Sequence, residues 1–108
     1  MTPNLINVGI ADCKTASSPD ILRTILGSCV GICIYDPESR VGGLSHIMLP
    51  ENKKNGPDLK YADTAIPIML NDLKKKGARR DRMVAKLVGG ATMIKLSEKS
   101  MTNKLVGI

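Results

Sequence analysis

A cysteine at a glycine-serine turn and a single histidine are the residues of this sequence best suited to nucleophilic chemistry. Cys29 directly follows Gly27 and Ser28, between two apolar segments. A thiol on such a turn can be partly exposed, and the surrounding backbone N–H groups could stabilise a thiolate and later an oxyanion. His46 lies on a segment that we expect to pair with the one after Cys29. A cysteine, a histidine within reach and a third group that orients the imidazole are the minimum needed for acyl transfer by a thiolate.

Residue types and spacing alone leave a structural alternative open for each of these groups. Cysteines in apolar strands are usually inert core residues, and we interpret Cys33 in this way. Cys13 lies in a predicted loop and has no evident partner. A lone histidine in an apolar strand is more often a buried, hydrogen-bonded core residue than a base. Zinc is not favoured, because a closed site needs four ligands and the chain has one histidine.

Composition restricts the class of protein and of partner. The 108 residues fit one domain; 43% are apolar, with no Phe, no Trp and two Tyr, so the core must be aliphatic. The net charge of +6 is compatible with an anionic partner, either nucleic acid or an acidic protein face, and equally with a solvated basic surface. Nucleic acid is disfavoured, because single-strand binding needs aromatic stacking platforms and no DNA-binding motif is present. An odd number of cysteines, no signal-peptide pattern and no long apolar run indicate a cytoplasmic protein without membrane insertion.

Strand patterns predominate, with one helix, and predict an α+β fold. We expect strands at 5–11, 21–26, 29–35, 41–49 and 84–88, with turn-forming residues making 12–20 a loop. The turn at 36–39 predicts that residues 29–49 form an antiparallel hairpin. Apolar spacing predicts a helix over 61–76, with Asp63 as N-cap and Pro67 in the first turn. A polar loop is expected at 50–59, and from residue 91 the pattern assigns no element.

Several blocks of residues, in order, resemble a known family. They are LRTILGSCVG at 22–31, VGGL at 41–44 with His46 and MLP at 48–50, KYADTA at 60–65, AKLVGGA at 85–91 with Met93, and VGIAD at 8–12. Together these blocks resemble CheD, the chemoreceptor glutamine deamidases, over nearly the whole chain.

The resemblance implies a hydrolase that converts glutamine side chains of methyl-accepting chemotaxis receptors to glutamate, without metal or organic cofactor. It implies Cys29 as nucleophile, His46 as base and a threonine before the Gly27-Ser28 turn, for which Thr24 is the candidate. It further implies β-sandwich-like sheets flanked by helices, similar to bacterial toxin deamidases, and the CheC phosphatase as a partner.

Family members usually continue beyond residue 108 with a further helix and strands. We therefore expect residues 1–108 to be a single CheD-like domain that lacks a C-terminal portion. This expectation leaves an alternative function, a non-catalytic regulator that binds and modulates CheC.

Overall fold

The computed structural model describes residues 2–53 and 55–89. The elements in chain order are β1 Leu5–Asn7, β2 Asp12–Ser17, β3 Ile21–Arg23, β4 Val30–Asp36, β5 Val41–Ile47, α1 Ala62–Lys75 and β6 Val84–Gly89. Short 3₁₀ turns at Asp58–Lys60 and Arg80–Arg82 precede α1 and β6. Strands joined mostly by short connections, with one main helix among the described residues, confirm the predicted α+β class.

The main sheet is antiparallel and has the strand order β2-β5-β4-β6, while β1 and β3 form a separate parallel pair. The predicted hairpin is confirmed, with β4 and β5 paired from Val30↔Ile47 to Asp36↔Val41. Asp36 closes the turn, because its side chain accepts the N–H of Glu38 at 3.0 Å and its carbonyl accepts the N–H of Arg40 at 2.9 Å. The hairpin therefore fixes the register between the strand after Cys29 and the strand bearing His46.

Helix α1 packs against one face of the main sheet and forms an aliphatic core, as the composition predicts. Alternate residues of β4 point toward it, since Val30, Ile32 and Ile34 are all buried. The helix contributes a buried stripe at helical spacing: Ala62, Ala65, Ile66, Met69, Leu70 and Leu73. The opposite face of the sheet is left for the candidate site.

The predicted loop at 12–20 is wrong over most of its length, because Asp12–Ser17 forms β2. This strand pairs with β5 along its whole length, from Asp12↔His46 to Ser17↔Val41. Ladder hydrogen bonds to a central strand offset the weak strand propensity of Asp, Lys and Ser. Strands β1 and β3 are shorter than predicted, each with three residues.

Helix α1 is confirmed, but its predicted start is wrong in two details. The N-cap is Tyr61 in an extended conformation, and it makes no side-chain capping hydrogen bond. The Asp63 carboxylate instead accepts the backbone N–H of Asn52 at 3.0 Å, which ties the preceding loop to the helix. Since the helix begins at Ala62, Pro67 lies in the second turn, where it removes a hydrogen bond to the carbonyl of Asp63.

Candidate active site

His46 and Thr24 form a hydrogen-bonded pair on the sheet face opposite α1. His46 lies near the end of the central strand β5 and is 2% exposed. Thr24 directly follows β3, and its Oγ1 lies 2.8 Å from His46 Nδ1. The same hydroxyl donates to the carbonyl oxygen of Val8 at 2.6 Å. The structure therefore brings together two of the three residues that the family resemblance implies.

The direction of the Thr24 hydroxyl proton determines which tautomer the His46 imidazole adopts. A backbone carbonyl can only accept, so the single hydroxyl proton is used on Val8 and Oγ1 must accept from Nδ1–H. In the neutral ring, Nε2 then carries the lone pair. Nε2 is buried and has no hydrogen-bond partner among the described residues. A ring nitrogen that has a lone pair and no partner can accept a proton, as a general base does.

Cys29 is the residue before β4, the strand that pairs with the His46 strand β5. Gly31 of β4 is registered directly against His46. Continuing the register by two residues makes Cys29 a diagonal neighbour of His46, a relation in which side chains are typically about 7–8 Å apart. The thiol is half-buried and forms no hydrogen bond with Nε2 in this structure. Such contacts often tighten only when substrate is bound.

The turn before Cys29 carries backbone N–H groups that have no acceptor among the described residues. Gly27 is exposed and Ser28 is half-buried, and both lie in an irregular bend between β3 and β4. Neither N–H donates a hydrogen bond to any acceptor in the part of the chain that the structure describes. Backbone N–H groups in this position can hold the negative oxygen of a tetrahedral intermediate.

The other two thiols lie in environments that keep them protonated. Cys13 is in β2 rather than in the predicted loop, and burial, reinforced by Asp72, raises its pKa to about 11. Burial also raises the pKa of Cys33 in β4. Both thiols therefore suit packing rather than nucleophilic attack. Within residues 2–53 and 55–89, no cluster of His, Cys, Asp and Glu could hold a metal ion.

The structure also shows groups of the candidate site that could not be identified from residue types. The Val8 carbonyl fixes the Thr24 proton, and a backbone group has no signature in the sequence. A cleft of about 320 Å³ opens at Thr24 and His46, flanked by Ile10 and Ile25. These isoleucines are 64% and 86% exposed, so they could be recognised only once the cleft was placed.

Comparison with known proteins identifies the family. The model of a family described as CheD chemotactic sensory transduction matches residues 48–108, more than half of the chain. The chain belongs to the CheD family. The resemblance stated from the sequence blocks is thus confirmed.

Curated CheD relatives match most of the chain, beyond the part that the family model matches. A probable chemoreceptor glutamine deamidase CheD of Methanococcus vannielii is 46% identical over 90% of the chain and 64% of its own length. Proteins of the same name from Clostridium kluyveri and Desulfitobacterium hafniense (strain DCB-2) are 51% and 45% identical, over 89% and 94% of the chain. This CheD chain spans less than two thirds of the length of these relatives. It covers 62% of the Clostridium kluyveri protein and 66% of the Desulfitobacterium hafniense protein.

No helix in the described part of this CheD chain is long and apolar enough to span a membrane.

Proposed function

We propose that this chain is a cysteine hydrolase that deamidates glutamine side chains of chemoreceptors. The observation that carries the proposal is the His46 imidazole, whose Nδ1 lies 2.8 Å from Thr24 Oγ1 while the buried Nε2 has no partner among the described residues. The curated relatives support the substrate, since each is named a probable chemoreceptor glutamine deamidase.

In the first half of the proposed reaction, Nε2 of His46 takes the proton of the Cys29 thiol. The thiolate attacks the carboxamide carbon of the glutamine, and the N–H groups of Gly27 and Ser28 hold the resulting oxyanion. Loss of one such donor typically raises the barrier by about 3 kcal/mol. The imidazolium then returns its proton to the departing nitrogen, which leaves as ammonia, and a thioester remains on Cys29.

In the second half, water replaces ammonia. Nε2 removes a proton from a water molecule, which attacks the thioester carbon. The tetrahedral intermediate collapses, the sulfur leaves as a thiolate and the imidazolium reprotonates it. The products are glutamate on the receptor and the free Cys29 thiol, so the cycle closes without metal or organic cofactor.

Thr24 orients the imidazole through both halves without adding a charge. Its hydroxyl accepts Nδ1–H whether the ring is neutral or protonated, and its own proton stays on the carbonyl of Val8. The ring is thereby held in the tautomer that presents Nε2, which is the role of the third member in a catalytic triad.

The family resemblance extends the proposal to partners, location and fold. We expect the substrate to be the cytoplasmic helices of methyl-accepting chemotaxis receptors and the CheC phosphatase to be a binding partner. The net charge of +6 suits docking onto an acidic protein face. We also expect the complete fold to resemble the β-sandwiches of bacterial toxin deamidases, with helices against the sheets.

Mass spectrometry of a receptor cytoplasmic fragment tests the proposal. We expect the chain to convert specific glutamines to glutamate, Cys29→Ala to abolish conversion and Cys33→Ala to retain it. Cys33 is the matched control, because it is also a half-buried thiol at β4. A folded chain that binds CheC but converts no glutamine would contradict the proposal and favour the regulator.

A further inference from the structure

The turn that carries Cys29 rests on two glycines of neighbouring strands, Gly31 of β4 and Gly89 of β6. A Cβ atom on Gly89 would lie 2.6 Å from the carbonyl oxygen of Cys29 and 3.2 Å from Cδ1 of Leu26. A Cβ atom on Gly31 would lie 3.2 Å from the same methyl group. The Leu26 side chain and the Cys29 backbone therefore occupy space that any side chain at these glycines would fill.

Gly89 is required at its position for two separate reasons. Its φ of +91° lies in the left-handed region, which residues with a Cβ rarely adopt. It also pairs with Val30, the residue after Cys29, at the end of the β4–β6 ladder. The end of β6 thus lies against the peptide group of the candidate nucleophile.

Leu26 links this contact to the N–H groups of the turn. It directly precedes Gly27 and Ser28 and is half-buried, with one methyl group over both Gly31 and Gly89. Anchoring Leu26 at one end and the Cys29 carbonyl at the other restricts the two residues between them, Gly27 and Ser28. This restraint would set where Sγ and the two amides lie relative to His46.

We propose that Gly31 and Gly89 are positioning residues, which hold the 27–29 turn so that the Cys29 thiol stays in reach of His46 Nε2. They act through the backbone of Cys29 and through Leu26, and neither lines the cleft at Thr24 and His46. The turnover readout rests on the proposed function, whereas the reactivity of the thiol can be measured without it.

Gly89→Ala forces the Cys29 carbonyl and the end of β6 apart, since contacts under 3.0 Å to a Cβ are essentially never observed. A misplacement of about 1 Å in a catalytic group can cost about 10²-fold in rate. We expect kcat for glutamine conversion to fall by about that factor with little change in KM, because Gly89 does not line the cleft at Thr24 and His46. Alkylation of Cys29 by iodoacetamide should slow in the same variant, while alkylation of Cys33 is unchanged.

Gly77→Ala is the matched control for backbone strain. Gly77 has a φ of +97° at the end of α1, and a Cβ there would meet nothing within 4 Å. Both substitutions strain a left-handed residue, but only Gly89→Ala presses on Cys29. Equal alkylation rates of Cys29 in the two variants would overturn the proposal. Slower alkylation of Cys29 in Gly89→Ala alone supports it, even if the wild-type chain converts no glutamine and the proposed function fails.

Gly31→Ala keeps the proposal testable if Gly89→Ala does not fold. Gly31 has no positive φ, and its new methyl group would lie 3.2 Å from the flexible end of Leu26, with Leu44 Cδ1 at an ordinary contact distance of 3.8 Å. We expect this variant to slow Cys29 alkylation, and the double variant with Leu26→Val to recover the rate because valine lacks the contacting Cδ1. A double variant as slow as Gly31→Ala would overturn the proposal.

Discussion

The imidazole of His46 is oriented by a neutral hydroxyl rather than by a carboxylate. The Oγ1 of Thr24 has one proton and gives it to Val8, so its interaction with Nδ1 at 2.8 Å has a fixed direction. A neutral partner fixes the tautomer of the ring but adds no charge beside the imidazolium. The orientation of the ring therefore depends on the geometry of the contact between Thr24 Oγ1 and His46 Nδ1.

Removing the Thr24 hydroxyl should impair the chemical step. In Thr24→Val the ring loses its Nδ1 acceptor, so both tautomers and other ring orientations become accessible. We expect kcat to fall by about 10²-fold with KM nearly unchanged, as for other misplaced catalytic groups. Thr24→Ser retains the hydroxyl and should retain most of the activity. Steady-state kinetics on a receptor fragment measures kcat and KM of both variants. Equal kcat values for Thr24→Val and Thr24→Ser would exclude the orienting role.

The thiol of Cys13 should react only in alkaline solution or after unfolding. Burial, with Asp72 nearby, raises its pKa from 9.0 to about 11, so the neutral thiol is favoured in the folded chain. Its contribution to stability is full below pH 9 and is lost as pH rises toward about 11. Alkylation of Cys13, followed by peptide mass spectrometry between pH 7 and 11, measures the reactivity of the thiol. The chain unfolded in urea is the control. Rapid alkylation of Cys13 in the folded chain at neutral pH would contradict the assignment.

At the residue scale, sequence reasoning identifies side chains with distinctive chemistry and misses the groups that orient them. Cys29 and His46 stand out by type and by their place in a hairpin. Thr24 was a candidate only through the family resemblance, because a threonine among apolar residues has no distinctive spacing. The Val8 carbonyl could not be found, since 16 residues separate it from Thr24 and every residue has a carbonyl.

At the scale of elements, Asp36 connects the β4–β5 turn to the segment before β6. Its carboxylate is fully buried and accepts from the Arg82 guanidinium at 2.7 Å and from the Arg79 backbone N–H at 2.8 Å. The hydrogen bonds from Arg82, with those from the backbone, hold the pKa of this carboxyl well below its usual range. The β6 strand, which ends against Cys29, is thereby anchored at its other end.

Asp36→Asn should destabilise the fold at neutral pH and much less in acid. The depressed pKa means that the Asp36 contribution is present above pH 3.8 and is lost as pH falls further. We expect the variant to lower Tm by roughly 5–10 °C at neutral pH. The difference in Tm between the variant and the wild type should become smaller as pH falls below about 4.

Asp81→Asn is the control for the Asp36 prediction. Asp81 also pairs with an arginine, Arg79 at 3.0 Å, but both side chains are exposed. Exposed pairs contribute about 0–1 kcal/mol, so this variant should leave Tm nearly unchanged. Thermal unfolding followed by circular dichroism provides the comparison, and equal losses in the two variants would refute a special role for Asp36.

Packing between β5 and α1 depends on a strand residue without a side chain. A Cβ on Gly43 would lie 2.8 Å from Sδ and 2.9 Å from Cγ of Met69. Gly43→Ala should therefore overpack the core and cost about 1–3 kcal/mol of unfolding free energy. Gly42→Ala on the same strand meets Tyr35 Cβ at 3.4 Å and is the control, expected within about 0.5 kcal/mol of wild type. Urea unfolding measures both, and no difference between them would disprove the contact.

Elements with strong local patterns were predictable, whereas those set by pairing were not. The β4–β5 hairpin and α1 follow from apolar periodicity and turn residues. Strand β2 does not, because its sequence favours turns and only the ladder with β5 makes it extended. The start of α1 was misplaced because the Asp63 carboxylate bonds to Asn52 rather than capping its own helix.

At the scale of the whole molecule, the site is assembled from distant parts of the chain. Val8 follows β1, Thr24 follows β3, His46 lies on β5 and the end of β6 supports Cys29. Each group is therefore placed by the folded sheets rather than by local sequence. This dependence explains why the family resemblance, which covers most of the chain, indicated the site better than any single motif.

In the proposed reaction Cys29 forms a thioester with the side chain of a receptor glutamine. Interception of this thioester by hydroxylamine is the decisive experiment. A thioester partitions between water and hydroxylamine, so the same glutamine positions should yield glutamyl hydroxamate as well as glutamate. Peptide mass spectrometry of a receptor fragment would detect both products. We expect hydroxamate with the wild-type chain and neither product with Cys29→Ala. Glutamate formed without any hydroxamate, or by the Cys29→Ala chain, would contradict the proposed reaction.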